Sequence, residues 1–180
     1  MKKRENKSFE YTKKVALSGV FCALCLVIMY FGALSGIGDL LAVVVSAVIV
    51  VVAVIDIGGI FPWLIWTVTA ALCLILLPDK YVALEFALFG GLYPMVKSYL
   101  ERFPLFISWS MKILYFNIAF AGSFAIAKYV FSVTDIGFDL KIVSFILANL
   151  FFILSDVFLS LMISMYMVKI RPRIKRQKKD

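Results

Sequence analysis

Long apolar runs, each free of charge over roughly the thickness of a bilayer, fill almost the whole of this 180-residue chain. A run of about 18 or more apolar residues exceeds what the core of a water-soluble helix needs, and it predicts a membrane-spanning helix. The pattern predicts six such helices, at about 14–34, 38–55, 60–77, 81–100, 105–128 and 140–168. The punctuation between them has a physical basis. Asp56-Ile57-Gly58-Gly59 reads as a tight turn, because paired glycines accept backbone angles that other residues resist. Pro62 is tolerated in the first turn of the third helix, and Pro78-Asp79-Lys80 stops it. Gly90-Gly91 and Pro94 interrupt the fourth helix, Phe103-Pro104 breaks the chain again, and the polar stretch Ser132–Asp139 reads as a loop.

Composition agrees with a lipid environment: 63% of residues are hydrophobic, 17% are charged and the mean hydropathy is +1.00. The expected fold class is therefore all-α, a polytopic integral membrane protein with six transmembrane helices. A basic segment over 1–13 precedes the membrane domain of 14–168, and a basic tail over 169–180 follows it. Lys and Arg are retained on the cytoplasmic side, so the charges orient the chain. Cytoplasmic termini place 15 positive residues inside, against Lys80, Lys128 and Lys141 outside, with Lys112 inside the membrane. The basic tails are expected to rest against anionic membrane lipids, at roughly 1 kcal/mol per residue, and not on nucleic acid. The first apolar run, Val15 to about Leu34, exceeds the core of a cleaved signal peptide and is expected to be retained.

The few polar groups inside the runs carry the functional information. A charge near mid-membrane costs about 2.5–3.5 kcal/mol on insertion scales, so it should face the bundle interior and pair, or meet a guest. Glu85 lies about one turn inside the outer end of the fourth helix. Asn117 is near the middle of the fifth, and Asn149 and Asp156 are seven apart on one face of the sixth. In a functional reading Glu85, Asn117, Asn149 and Asp156 bind a polar solute. In a structural reading Lys112 pairs with Asp156 and locks the fifth helix to the sixth, while the asparagines bond across helices at roughly 0.6–2 kcal/mol each. Lys97 and Glu101, four apart beside Arg102, read as a solvated helix end. Trp63, Trp66 and Trp109 read as interface anchors.

Other patterns point to packing. Cys22-x-x-Cys25 has a redox spacing, but in lipid its thiols are expected to be inert small packing groups, as is Cys73. Gly58-Gly59-Ile60-Phe61-Pro62 and Gly90-Gly91-Leu92-Tyr93-Pro94 echo each other, although their flanks do not repeat. The plainer reading is kinked packing helices. The chain has no histidine, which removes the ordinary general base and the commonest zinc ligand. No phosphate-binding loop or paired acidic motif is present. No enzymatic activity, cofactor or metal site is expected.

The first helix reads Lys13-Lys14-Val15-Ala16-Leu17-Ser18-Gly19-Val20-Phe21-Cys22-Ala23-Leu24, with Ala16, Gly19 and Ala23 bringing small residues to one side. Together with six spans, cytoplasmic termini and about 180 residues, this resembles the substrate-binding S component of energy-coupling factor (ECF) vitamin transporters. Tyr93-Pro94, Lys97, Glu101, Pro104, Trp109, Lys112 and Asn117 also resemble a related six-helix membrane protein of Gram-positive bacteria. The resemblance implies a multi-pass protein of the bacterial cell membrane that captures a micronutrient, a small organic solute, from outside. It further implies a transmembrane coupling subunit, packed on Ala16, Gly19 and Ala23, and ATPase subunits as partners. Two other classes compete on the residues alone: a non-catalytic membrane assembly or scaffold protein, and a lipid-modifying membrane enzyme.

Overall fold

The computed structural model describes residues 2–35, 38–129 and 142–172, and among them there is helix and no strand. Helix α1 spans Lys2–Ser35, α2 Asp39–Asp56 and α3 Phe61–Leu76. Helix α4, Lys80–Glu85, passes into a π-helical segment, Phe86–Gly91, and on into α5, Leu92–Leu100, as one continuous rod. Helix α6 spans Leu105–Tyr129, and α7 spans Ile142–Met165 before a second π segment, Tyr166–Ile170. Four stretches are long and apolar enough to cross a bilayer: Phe9–Ser35, Asp39–Asp56, Leu105–Ile126 and Phe145–Lys169. Helix α3 is apolar but shorter. The expected loop Ser132–Asp139, Lys141 and the tail beyond residue 172 lie outside the described residues.

Local chemistry explains most boundaries. Helix α1 begins at Lys2, a dozen residues before the onset expected from hydropathy. The added turns are rich in Lys and Glu, good helix formers, so the helix outlasts its apolar stretch. Gly58 (φ 62°) and Gly59 (φ 65°) occupy the left-handed region and make the α2–α3 turn as expected. Pro62 sits in the first turn of α3, where its missing N–H costs nothing. Asp79 caps α4 by accepting from the Tyr81 N–H at 2.8 Å. Ser35 Oγ bridges α1 to the next turn, donating to the Gly32 carbonyl and accepting from the Gly38 N–H.

The chain forms two compact units, Met1–Val133 and Thr134–Asp180. In the first, α1, α2, α3 and α4 pack around one apolar cluster that contains Cys25, Met29, Ala42, Val43, Val50, Ala70, Cys73, Val82, Ala83 and Phe86. All three cysteines are free thiols. Cys22 Sγ donates weakly to the Ile65 carbonyl at 3.8 Å, and Cys25 Sγ to that of Ser46 at 3.9 Å. They serve as small core residues, as the sequence suggests.

Helix α6 runs antiparallel to the α4–α5 rod, and aromatic rings set the register. Tyr81 meets Phe124, Phe89 meets Phe116 and Tyr93 meets Tyr115, with centroids at 6.0, 5.3 and 5.7 Å. Such tilted and edge-on pairs are worth about 0.5–1.5 kcal/mol each beyond their burial. In the second unit Phe152, Asp156 and Leu159 are buried and share one face of α7, while Leu150, Leu154 and Leu161 are exposed.

Candidate functional site

The antiparallel arrangement gives the first unit two chemically different ends. One gathers Lys14, the α2–α3 turn, Lys97, Glu101, Arg102 and Lys112. The other gathers Asp39, Asp79, Lys80 and, inside the rod, Glu85.

At the basic end, Lys97 Nζ lies 2.7 Å from Glu101 Oε1 and Lys112 Nζ lies 3.2 Å from the same oxygen. Both lysines are buried, at 1% and 4% exposure, whereas Glu101 is 42% exposed. The solvated helix end expected for Lys97 is therefore corrected. The rod turns at Glu101-Arg102, and Lys97 faces α6, where Lys112 approaches the same carboxylate. Lys112 also stands 5.3 Å over the Trp109 ring, and Arg102 stands 5.1 Å over that of Tyr99. Lys14 donates to the Ile57 carbonyl at 3.2 Å and fastens α1 to the α2–α3 turn. These groups are engaged in holding helix ends together.

The acidic end is different. Glu85 is buried at 9% exposure, yet its carboxylate has no hydrogen bond or ion pair among the described residues. Asp39 and Asp79 are close enough for their negative charges to act on it. Lys80, five residues before Glu85, donates its ammonium to the Leu77 carbonyl at 2.8 Å instead. Oδ1 of Asp39 is buried without a partner among the described residues, as are the hydroxyls of Ser46 and Thr69. Both of those residues have 0% exposure. Serine and threonine in a helix ordinarily satisfy themselves on the carbonyl four residues back, as Ser18 does on Lys14. Ser46 and Thr69 do not.

The π segment begins at the residue after Glu85. Its carbonyls lie out of line with the α-helical ladder, and two aromatic side chains collect them. Trp66 Nε1 donates to the Ala87 carbonyl at 2.7 Å, and the Tyr115 hydroxyl donates to that of Leu88 at 2.5 Å. Gly90 and Gly91 make room for this. A β-carbon at Gly91 would collide with the Trp66 ring, and one at Gly90 would press on Phe86 and the Val43 carbonyl at 3.0 Å. The two Gly-Gly pairs thus do unrelated jobs, one in a left-handed turn and one in close helical packing. Gly-Gly and Pro94 do not break the rod as expected, because the wide turn absorbs the misfit.

The remaining sequence-predicted residues are distributed. Asn117 Nδ2 donates to the Ile113 carbonyl at 2.8 Å on its own helix. The register that sets Phe89 against Phe116 brings Asn117 level with Leu88, about a turn deeper than Glu85. Asn149 Nδ2 donates to the Phe145 carbonyl at 3.0 Å, and the Ser160 hydroxyl donates to that of Asp156 at 2.9 Å, both within α7. Asn149 and Asp156 belong to the second unit. Ala16, Gly19 and Ala23 lie exposed along α1, and nothing approaches within 4 Å of a β-carbon placed on Gly19. Sequence reasoning missed Ser46, Thr69, Asp39, Trp66 and Tyr115. None of the five carried a local signal, because hydroxyls, a helix-end aspartate and aromatic rings are all ordinary in apolar helices and only the packing shows which are unpartnered or engaged. Compared with family models, curated proteins and solved structures, the chain matches none.

Proposed function

We propose that the chain is the membrane-embedded substrate-binding subunit of a micronutrient uptake transporter, similar to the S component of ECF transporters. In this reading α1, α2, α3, the α4–α5 rod, α6 and α7 make six crossings of a bacterial cell membrane, with both termini in the cytoplasm. The basic end of the first unit then faces inward, as the distribution of Lys and Arg requires, and the acidic end faces the source of solute.

Glu85 carries the reading. A carboxyl group among apolar helices ionises only at a cost of several kcal/mol unless something answers its charge, and no described residue does. A guest that pairs with it would return that energy. The π segment beginning at Phe86 supports the same conclusion, since wide helical turns recur at functional sites. Asn117, about a turn deeper than Glu85 in the same unit, is proposed to add a polar contact. The uncovered small residues Ala16, Gly19 and Ala23 suit close approach by a helix of a coupling subunit. ATPase subunits would supply the energy.

The test is purification from native membranes at low detergent, with mass spectrometry of everything retained. Wild type should carry a small molecule near one-to-one, together with a polytopic partner and ATPases, and Glu85→Gln should lose the small molecule and keep the partners. A protein that retains neither solute nor partners, with Glu85→Gln indistinguishable from wild type, would refute the assignment.

A further inference from the structure

Three helices each contribute one buried polar side chain with no hydrogen-bond or ion-pair partner among the described residues, all at nearly the same depth. Ser46 lies seven residues inside Asp39 on α2, Thr69 seven inside Leu76 on α3, and Glu85 five inside Lys80 on α4. At about 1.5 Å per residue, all three sit roughly 8–10 Å from the same end of the unit. Their helices pack on one another. The three side chains also share surroundings. Ser46 lies between Val43 and Val50, Thr69 adjoins Ala70 and Cys73, and Glu85 adjoins Val82 and Phe86, all within one cluster. Asp39 and Ser46, seven apart, lie on one face of α2, so an unpartnered oxygen marks both the rim and the interior of that face.

Charge at the rim has one sign. Asp39 and Asp79 act on Glu85, and the ammonium of Lys80 is engaged with a backbone carbonyl. The potential favours a cation, and it draws one in from outside. The kind of cation is also constrained. Among the described residues there is no group of three Asp, Glu, Cys or His side chains that could hold a metal ion, so the carboxylate cage of a divalent cation is missing there. A hard metal ion demands several oxygens at about 2.0–2.6 Å, whereas an organic molecule spreads a charge and its hydrogen-bonding groups over several ångströms. Resting on the reading of the chain as a solute-binding subunit, we infer that its ligand is a small organic cation. Its ammonium or amidinium group meets Glu85, its other polar groups meet the hydroxyls of Ser46 and Thr69, and Asp39 and Asp79 form its entrance.

The test uses the reactivity of a membrane-buried carboxyl group toward dicyclohexylcarbodiimide, read as a mass increment at Glu85 on the full-length protein in lipid nanodiscs. Glu85→Gln is the blank. The probes are benzylammonium, benzyl alcohol and benzoate, matched in shape and differing in charge, with sodium chloride at equal ionic strength. Benzylammonium should protect Glu85 at a concentration at least tenfold lower than benzyl alcohol, and benzoate and sodium should not protect. Asp39→Asn with Asp79→Asn should raise the protecting concentration of benzylammonium about five- to tenfold while Glu85 still reacts. Protection by sodium alone, equal protection by benzyl alcohol, or no protection by any probe would overturn the inference. Retention of a neutral or anionic molecule on the purified protein, lost in Glu85→Gln, would overturn the cation and leave the solute-binding reading standing. Absence of both retention and protection would remove both.

Discussion

Two glutamates show how differently one residue type is used in this bundle. Glu101 is half-exposed and answers two buried lysines; Glu85 is buried and answers nothing among the described residues. Glu101→Gln should therefore destabilise the protein by about 2 kcal/mol, the scale of a lost hydrogen bond to a charged group, seen as a lower melting temperature in detergent. The orphan hydroxyls predict the opposite response. Thr69→Val and Ser46→Ala remove a buried polar atom that has no described partner, so the empty protein should melt within about 0.5 kcal/mol of wild type or above it. A comparable loss at Ser18, whose hydroxyl is satisfied, would be a useful contrast. Glu85 and Asn117 could be picked out in the sequence because a lone carboxylate or amide stands out in an apolar run. Ser46 and Thr69 could not, since hydroxyls are ordinary in membrane helices and only the fold reveals which of them bond to their own backbone.

At the level of elements, hydropathy located the helices to within a few residues, apart from the onset of α1, because lipid imposes helix on any apolar run of sufficient length. What it does not encode is how a helix accommodates its irregularities. Gly90-Gly91 and Pro94 read as a break, and become a π segment whose carbonyls are gathered by Trp66 and Tyr115. Those two side chains lie on other helices, beyond the reach of any local pattern. Trp66→Phe and Tyr115→Phe should each cost about 1 kcal/mol. Gly91→Ala should cost about 1–3 kcal/mol by driving a methyl group into the Trp66 ring. Thermal unfolding followed by tryptophan fluorescence would measure all three. The pairing of Lys112 with Asp156 expected from the sequence predicts that Lys112→Met or Asp156→Leu alone costs about 3–5 kcal/mol, and that the two together recover most of it. Additive losses would mean that the residues do not pair.

At the largest scale, the segregation of charge organises the first unit: a basic end in which cations are paired or stacked, and an acidic end in which Asp79 caps α4 while Glu85 and one oxygen of Asp39 have no partner among the described residues. The proposed cytoplasmic termini would place Gly38 and Asp79 outside and Ile57 and Arg102 inside. Single cysteines at those positions, in a background with Cys22, Cys25 and Cys73 replaced, should label from opposite faces of intact cells with a membrane-impermeant maleimide. The apolar runs in the sequence marked out the four helices that are long and apolar enough to cross a membrane. The acidic end was not foreseen, because Asp39, Asp79 and Glu85 are brought together only when α2 and α4 pack. The most direct test is the sign of one stability change. Measured by thermal unfolding of the solute-free protein, Glu85→Gln should melt no lower than wild type, because the side chain has no partner among the described residues to lose. A lower melting temperature would mean that Glu85 is paired within the protein and has no vacancy to offer.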